Sequence, residues 1–366
     1  MKVLICGGGV IGTSLAYFLS LRGVETLVVE RTGVANAASG KSGGFLARDW
    51  CDGSPLAALA RRGFDLHAEL AGSLGRDWGY RRVETLGVVA SARQDVGRFR
   101  RLPSPDWLGS DSAVHGKLGG FDTTAQIHPA AFTEAMMAGA AERGARLIEG
   151  CVEGIALAPD GSRAVGAVVD GTEVAADAVV IALGPWSLLA CRWLPLPAVY
   201  GIKGHSLVFD YEPSPVSLFV ELETGDGEVA APEINPRPDG TTYVCGLSGE
   251  HALPVDPADV LPEAGACARL RRMTASVSPG LGASRVLAEQ ACFRPVTADG
   301  LPVIGPVPGI AGAFVATGHS VWGMLNAPST GEAMAALIAG DAQGGVDLRP
   351  YDPARLERLD PEALVS

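Results

Sequence analysis

Residues 3 to 30 hold this chain to very few architectures. Val3-Leu4-Ile5-Cys6 is a short apolar run of buried-strand type, and Gly7-x-Gly9-x-x-Gly12 follows it without a gap. Leu15, Phe18, Leu19 and Arg22 then recur at helical spacing, and Gly23 supplies a stop. Val24 to Val29 is a second apolar run, and it ends in Glu30. Strand, glycine turn, helix, strand and terminal acid in this order predict a βαβ unit that binds a dinucleotide. Gly7 permits the tight turn, Gly9 lets the backbone approach a pyrophosphate, and Gly12 lets helix and strand pack closely. The start of the helix, at Val10 and Ile11, favours the phosphate charge. Glu30, 18 residues after Gly12, can accept from ribose hydroxyls and would repel a 2′-phosphate. By itself the motif suits NAD and FAD equally.

Composition narrows the class further. The 366 residues suggest two domains at a prior of about 150 residues each. The 48 glycines are aperiodic and accompany 47% hydrophobic residues, which excludes collagen and argues against disorder. Lys and Arg number 29 against 41 Asp and Glu, a net charge of −12, so a nucleic-acid binder is disfavoured. The seven cysteines are scattered, without a CxxC pair or a Cys/His cluster, and point to a reducing compartment without a structural metal site. Residues 3 to 21 carry no charge and follow Lys2, as in a signal peptide. Against that reading, Gly7, Gly8, Gly9 and Gly12 interrupt the stretch, and no small-residue cleavage site follows. No later run is long and apolar enough to span a bilayer, and the final Ala363-Leu364-Val365-Ser366 is not a peroxisomal address. A cytoplasmic location is expected.

Further along, Ala38-Ser39-Gly40-Lys41-Ser42-Gly43-Gly44 is a loop of small residues. It suits a second approach of backbone to a phosphate or a planar ring; the alternative is a plain surface loop. His128-Pro129 opens a helix expected to run to about 143, with Gly144 as its stop. Strands are expected over 145–148, 152–157 and 177–182, with a hairpin over 165–169 and 173–175. Between 198 and 289 the pattern changes to short strand runs, such as Tyr243-Val244-Cys245, separated by turns such as Pro238-Asp239-Gly240. This is antiparallel-sheet composition, with one helix expected over 262–277. Residues 294–305 read as glycine-containing loop, 313–316 as strand, and a helix is expected from near Pro328 to 338. The last residues, with Pro350, Pro353 and Pro361, read as a tail.

The order of these segments resembles the D-amino-acid oxidase superfamily of flavoproteins, which includes glycine oxidase and sarcosine oxidase. The likeness runs over nearly the whole chain. It rests on Gly7, Gly9, Gly12 and Glu30, the Ser39 to Gly44 loop, the Ala182 to Ser187 strand end, the 294–305 segment, and Gly318-His319…Gly323…Ala327-Pro328…Thr330-Gly331. The run from Ala38 through Phe45-Leu46-Ala47 is most similar to a little-characterised eukaryotic group of FAD-dependent oxidoreductases.

That resemblance implies an α/β fold. A discontinuous Rossmann-type FAD-binding domain (1–79, 123–197 and 290–366) would accompany an antiparallel β-sheet substrate domain (80–122 and 198–289). It implies oxidation of an amine next to a carboxylate. A hydride leaves the α-carbon for flavin N5, water hydrolyses the imine, and oxygen reoxidises the flavin. Two alternatives stay open at this point: a dehydrogenase that passes electrons to a quinone or carrier protein, and a flavin-bearing regulatory module with little turnover.

Residue by residue, the resemblance assigns the N-terminal turn, Glu30 with Arg31, the Ser39, Gly40, Lys41, Ser42, Gly43 and Gly44 loop, Val152, Gly184 and Trp186 to FAD. Gly318, His319, Gly323 and Met324 match the loop that faces the flavin pyrimidine, where a donor would stabilise the reduced ring. Thr330 is expected to open the helix that follows, and His319 either packs or takes part in the chemistry. Arg294, also beside the flavin, matches the arginine that holds the substrate carboxylate, as a planar guanidinium does through two parallel hydrogen bonds. Its alternative is a structural pair with a loop acid such as Asp299. Glu233 stands where amino-acid oxidases place an active-site tyrosine, four residues before Arg237. It would receive a second ammonium or a secondary amine, or else face solvent at a strand end. Trp186 and Trp322 suit packing, with Trp322 also placed to wall the substrate pocket. In Cys292-Phe293-Arg294-Pro295-Val296-Thr297, the cysteine matches the one that carries flavin covalently in sarcosine oxidases, which lack an arginine at the Arg294 position. Non-covalent FAD is the expectation, with a link at Cys292 or a buried apolar cysteine as the two readings of that residue.

Overall fold

The computed structural model describes residues 1–341 and 345–364. A six-stranded sheet forms one half, in the order Val303–Pro306, Ala313–Thr317, Ala178–Ile181, Lys2–Cys6, Glu25–Glu30, Arg146–Glu149. All its pairings are parallel except that of the edge strand Val303–Pro306 with Ala313–Thr317. Period-two alternation divides these buried strands between two cores. Val3, Ile5, Val28 and Val180 face helices Val10–Ser20, Ala57–Ser73, Pro129–Ala141 and Gly323–Ala339. Leu4, Cys6, Leu27, Val29, Val179 and Ile181 face a three-stranded antiparallel sheet, Val152–Leu157, Ala164–Val169 and Thr172–Ala175.

The other half is an eight-stranded sheet. Its main path is Val286–Val296, Tyr200–Phe209, Thr242–Glu250, Glu233–Pro236, Val216–Glu223, Glu84–Ser91 and Ser112–Gly119, with Val229–Ala230 paired to Val216–Glu223. It is antiparallel apart from Val216–Glu223 against Glu84–Ser91, which run parallel. One face buries Leu207, Phe209, Leu218, Ile234 and Val244 against Leu270, Met273 and Val277 of helix Ala266–Val277. The opposite face looks toward the parallel sheet, and the candidate site lies there. The expected boundary at 289/290 falls inside strand Val286–Val296.

Several local expectations are revised. Arg294 is not in a glycine loop but near the end of the eleven-residue strand Val286–Val296. The 38–44 loop contains one helical turn, Ala38–Lys41. The helix expected from 262 begins at Ala266, after Gly265. The C-terminal helix starts at Gly323 and contains Pro328, so Thr330 is inside it rather than at its opening. Pro328 has no N–H for the carbonyl of Met324, four residues earlier. His67 Nε2 takes that carbonyl instead at 2.9 Å, and burial pushes the His67 pKa down to about 4, so it donates as the neutral imidazole. The expected tail is docked: Tyr351 is buried and donates its hydroxyl to the Pro55 carbonyl at 2.8 Å. Val365 and Ser366 lie outside the described residues. Among the described residues no helix is long and apolar enough to cross a membrane, and no group of side chains could hold a metal ion.

Candidate functional site

A cavity of about 590 Å³ runs between the two halves, within the ~300–1,000 Å³ usual for small-molecule and cofactor sites. One end is built from backbone. Gly7 leaves the first strand with φ +116°, and a Cβ there would sit 2.4 Å from the Ala182 carbonyl oxygen. A Cβ on Gly12 would sit 2.0 Å from the Gly7 carbonyl oxygen, so the helix start lies directly on the turn. The Val10 N–H donates to Ser39 Oγ at 2.9 Å. The N–H groups of Gly9, Ile11 and Gly12 take no partner among the described residues. Gly9 and Ile11 are on the cavity wall, where the helix dipole adds partial positive charge.

Glu30 also lines this end. Its carboxylate accepts the Gly8 N–H at 2.7 Å and the Thr32 N–H at 2.9 Å, and so braces the turn. With about four acceptor sites, it retains capacity for hydroxyls. Arg31 lines the wall but directs its guanidinium to Asp256 at 2.9 Å. Val152, Gly184 and Trp186 line the cavity as well, with Trp186 Nε1 donating to the Pro254 carbonyl at 2.7 Å.

The middle carries Ser39, Ser42, Gly43, His319, Gly323 and Met324. Ser42 Oγ and His319 Nδ1 are buried without a hydrogen-bond partner. The other nitrogen of His319 meets Thr330 Oγ1 at 3.0 Å, and burial pushes its pKa down to about 3, so the ring is neutral. Gly12, Gly40, Gly44 and Gly318 lie behind the wall and shape the turns. Lys41 faces an adjoining recess, shared with Cys292, and Trp322 packs into the helical core instead of the cavity.

The far wall is the eight-stranded sheet, built from side chains. Because successive strand residues face opposite ways, Ile234, Val244, Ala291 and Phe293 enter apolar clusters while Glu233, Tyr243, Cys245, Cys292 and Arg294 line the cavity. Cys245 is paired in register with both Glu233 and Ser206. Arg294 Nη2 donates to Ser248 Oγ at 2.6 Å, and among the described residues no carboxylate lies within ion-pair distance of it. Asp299, the structural partner weighed for it, pairs with Arg355 at 2.8 Å. Glu233 is half-buried on the cavity wall: enclosure raises its carboxyl above the ordinary range, while the charge of Arg294 acts in the opposite sense. Burial likewise pushes up the Cys245, Cys292 and Tyr243 groups, which are therefore neutral.

Tyr243, Cys245, Ser206 and Ser248 are wall residues that the motifs did not single out. The available signal was alternation along 243–245, where Val244 separates two residues of the opposite face. Tyr243 donates to the Lys41 carbonyl at 3.0 Å, and buried Arg237 donates to the Ser42 carbonyl at 2.8 Å. These bonds tie the sheet wall to the 38–44 segment.

Free N–H groups and a carboxylate at one end, and two unpartnered buried polar atoms in the middle, suit an elongated dinucleotide. Comparison with known proteins agrees. The sequence model of one protein family, described as "DAO: FAD dependent oxidoreductase", matches residues 2–337. An oxidoreductase of Schizosaccharomyces pombe, whose name states no substrate, is 29% identical over 385 residues, covering 96% of this chain and 97% of that one. Glycine oxidase of Pseudomonas aeruginosa is 28% identical over 376 residues, covering 96% and 98%. The crystal structure of glycine oxidase from Geobacillus kaustophilus matches with a TM-score of 0.80 at 27% identity, covering 97% of this chain and 99% of that one.

Proposed function

The chain belongs to the DAO family of FAD-dependent oxidoreductases, and from that premise we propose that it oxidises the C–N bond of a small amino acid or N-alkyl amino acid. The flavin, when bound, supplies the two-electron acceptor. The chain's own residues bind and orient. Gly9 and Ile11 would offer N–H groups to the cofactor's pyrophosphate, Glu30 would accept from ribose hydroxyls, and Ser42 and His319, whose buried polar atoms lack partners, would complete their hydrogen bonds on the cofactor.

The observation that carries the substrate reading is Arg294. It is a cavity-wall guanidinium held at one nitrogen by Ser248 and matched with no carboxylate among the described residues. Such a fork is available for two parallel bonds to a substrate carboxylate. Similarity to glycine oxidases supports the same class of substrate. We place FAD as non-covalent, because burial keeps the Cys292 thiol protonated and a protonated thiol is a poor nucleophile. Oxygen serves as the acceptor for reoxidation.

Two measurements test this reading. Purified protein should be yellow, and acid precipitation should leave the flavin in the supernatant; colour kept in the pellet would replace it with a covalent link. Arg294→Ala should raise KM for the amino acid by roughly 10- to 100-fold, the worth of charge-assisted hydrogen bonds. Unchanged turnover of a carboxylate substrate would remove Arg294 as the anchor.

A further inference from the structure

The sheet wall carries a second unpaired charge. Glu233 opens the short strand Glu233–Pro236 and faces the cavity, while its neighbour Ile234 fills the core on the other side. Among the described residues no cation lies within ion-pair distance of it, and the Cys245 thiol is the polar side chain against it. The titratable groups on its wall are Cys245, Tyr243, Cys292 and Arg294, with Lys41 in the recess beyond Cys292 and His319 across the cavity. The thiols, the phenol and His319 are neutral for the reasons given, which leaves Arg294 and Lys41 as the charged groups. His205, also on this wall, has both nitrogens engaged, with the Leu247 carbonyl at 2.9 Å and the Glu263 N–H at 3.1 Å.

Arg294 and Glu233 are kept apart by register. Ser248, which holds the guanidinium, lies three residues beyond Cys245, the partner of Glu233, on one strand. Glu233, Cys245, Ser206 and Gln290 stand opposite one another across the four strands, and Arg294 lies four residues beyond Gln290. Between these positions the wall is small or open, with Gly204, Ser206 and Gly246. Two charges of opposite sign on one cavity wall are best satisfied together by one ligand carrying the complementary pair. A small zwitterion reaches both through hydrogen bonds of about 2.8 Å at each end.

We propose that Glu233 accepts a proton from the ammonium of the substrate whose carboxylate Arg294 holds, so that the amine reacts in its neutral form. This rests on the amino-acid reading above. In the step, one N–H bond of the ammonium breaks, its electron pair stays on nitrogen, and the proton joins a Glu233 oxygen to form a neutral carboxyl. The lone pair thus freed is what the departure of the α-hydrogen with its electrons requires, the acceptor being the family's FAD. Enclosure of Glu233 supports the transfer, because a carboxyl held above its ordinary range stands closer to an ammonium in proton affinity.

The test uses the FAD-loaded enzyme, with glycine, sarcosine and D-alanine as probes. Glu233→Gln should lower kcat/KM at neutral pH by on the order of 10²-fold. Flavin content, and inhibition by propionate (a carboxylate without nitrogen), should be unchanged. The variant should regain activity about tenfold per pH unit as free amine becomes available, a rescue that a merely structural residue would not give. Independently of turnover, adding the amino acid to reduced enzyme should raise a protonated-carboxyl infrared band in the wild type and not in Glu233→Gln. A variant with the wild-type pH profile, or binding without that band, overturns the proposal and leaves the amino-acid reading standing. If no amino acid is turned over by the wild type, that reading falls and this one with it.

Discussion

The two walls of the cavity are made in opposite ways. On the glycine side the functional atoms are main-chain N–H groups and one carboxylate, all within residues 7 to 30. On the sheet side they are side chains at 206, 233, 243, 245, 248 and 294, gathered by strand pairing. A backbone wall tolerates almost no added atom but is indifferent to most side chains. A side-chain wall is sterically open, and its chemistry changes with each substitution. The difference lets one cavity combine a wall fixed by backbone with a wall whose chemistry is set by side chains.

The steric limit should show the largest effect. Gly12→Ala puts a methyl group 2.0 Å from the Gly7 carbonyl oxygen, and should cost roughly 3 kcal/mol or more and abolish flavin retention. Absorbance of the purified variant and its melting temperature measure both. Retained flavin at wild-type stability would erase the contrast between the walls.

Acid should separate the walls next. His67 and His319 support the helical side and are neutral in the fold, with pKa values pushed down to about 4 and about 3. The unfolded chain binds their protons near pH 6.5, so the stability they contribute is present above that value and is lost as pH falls below it. By pH 5 this amounts to about 2 kcal/mol for each. Glu233 has the opposite sign: its raised carboxyl is relieved by acid. Calorimetry of the wild type and His67→Gln between neutral and acid pH should show a shallower decline in the variant. Parallel curves would remove His67 from the account.

On the sheet side Arg294→Lys should leave flavin content unchanged and raise KM about tenfold, since a lysine offers a point charge without the fork. Loss of flavin in this variant would mean that the two walls are not separable. The smallest effect returns to the glycine wall. Ser39→Ala removes the acceptor of the Val10 N–H, and should weaken FAD binding by about 1 kcal/mol, the usual net worth of one hydrogen bond. Flavin titration of the apoprotein reads it.

Legibility in the sequence follows the same division. The first strand, the helix and the second strand stand at Lys2–Cys6, Val10–Ser20 and Glu25–Glu30, within a residue or two of the pattern that predicted them. Arg294 was singled out by resemblance, yet its place in a strand was hidden by the prolines and glycines after it. Pro328 misplaced a helix start because the compensating donor, His67, lies 257 residues from the carbonyl it serves. Tyr351 read as tail because the carbonyl that receives its hydroxyl lies at Pro55.

By itself the sequence determined the dinucleotide end. Residues 7 to 12 carry their own backbone conformation, their free donors and the packing of their helix, so spacing alone encodes the site. Only the tertiary structure decided the sheet end. Which of Tyr243, Val244 and Cys245 meets the cavity depends on register, and a shift of one residue would turn every side chain of that strand over. The separation of Arg294 from Glu233 along the sheet exists only once four strands have paired.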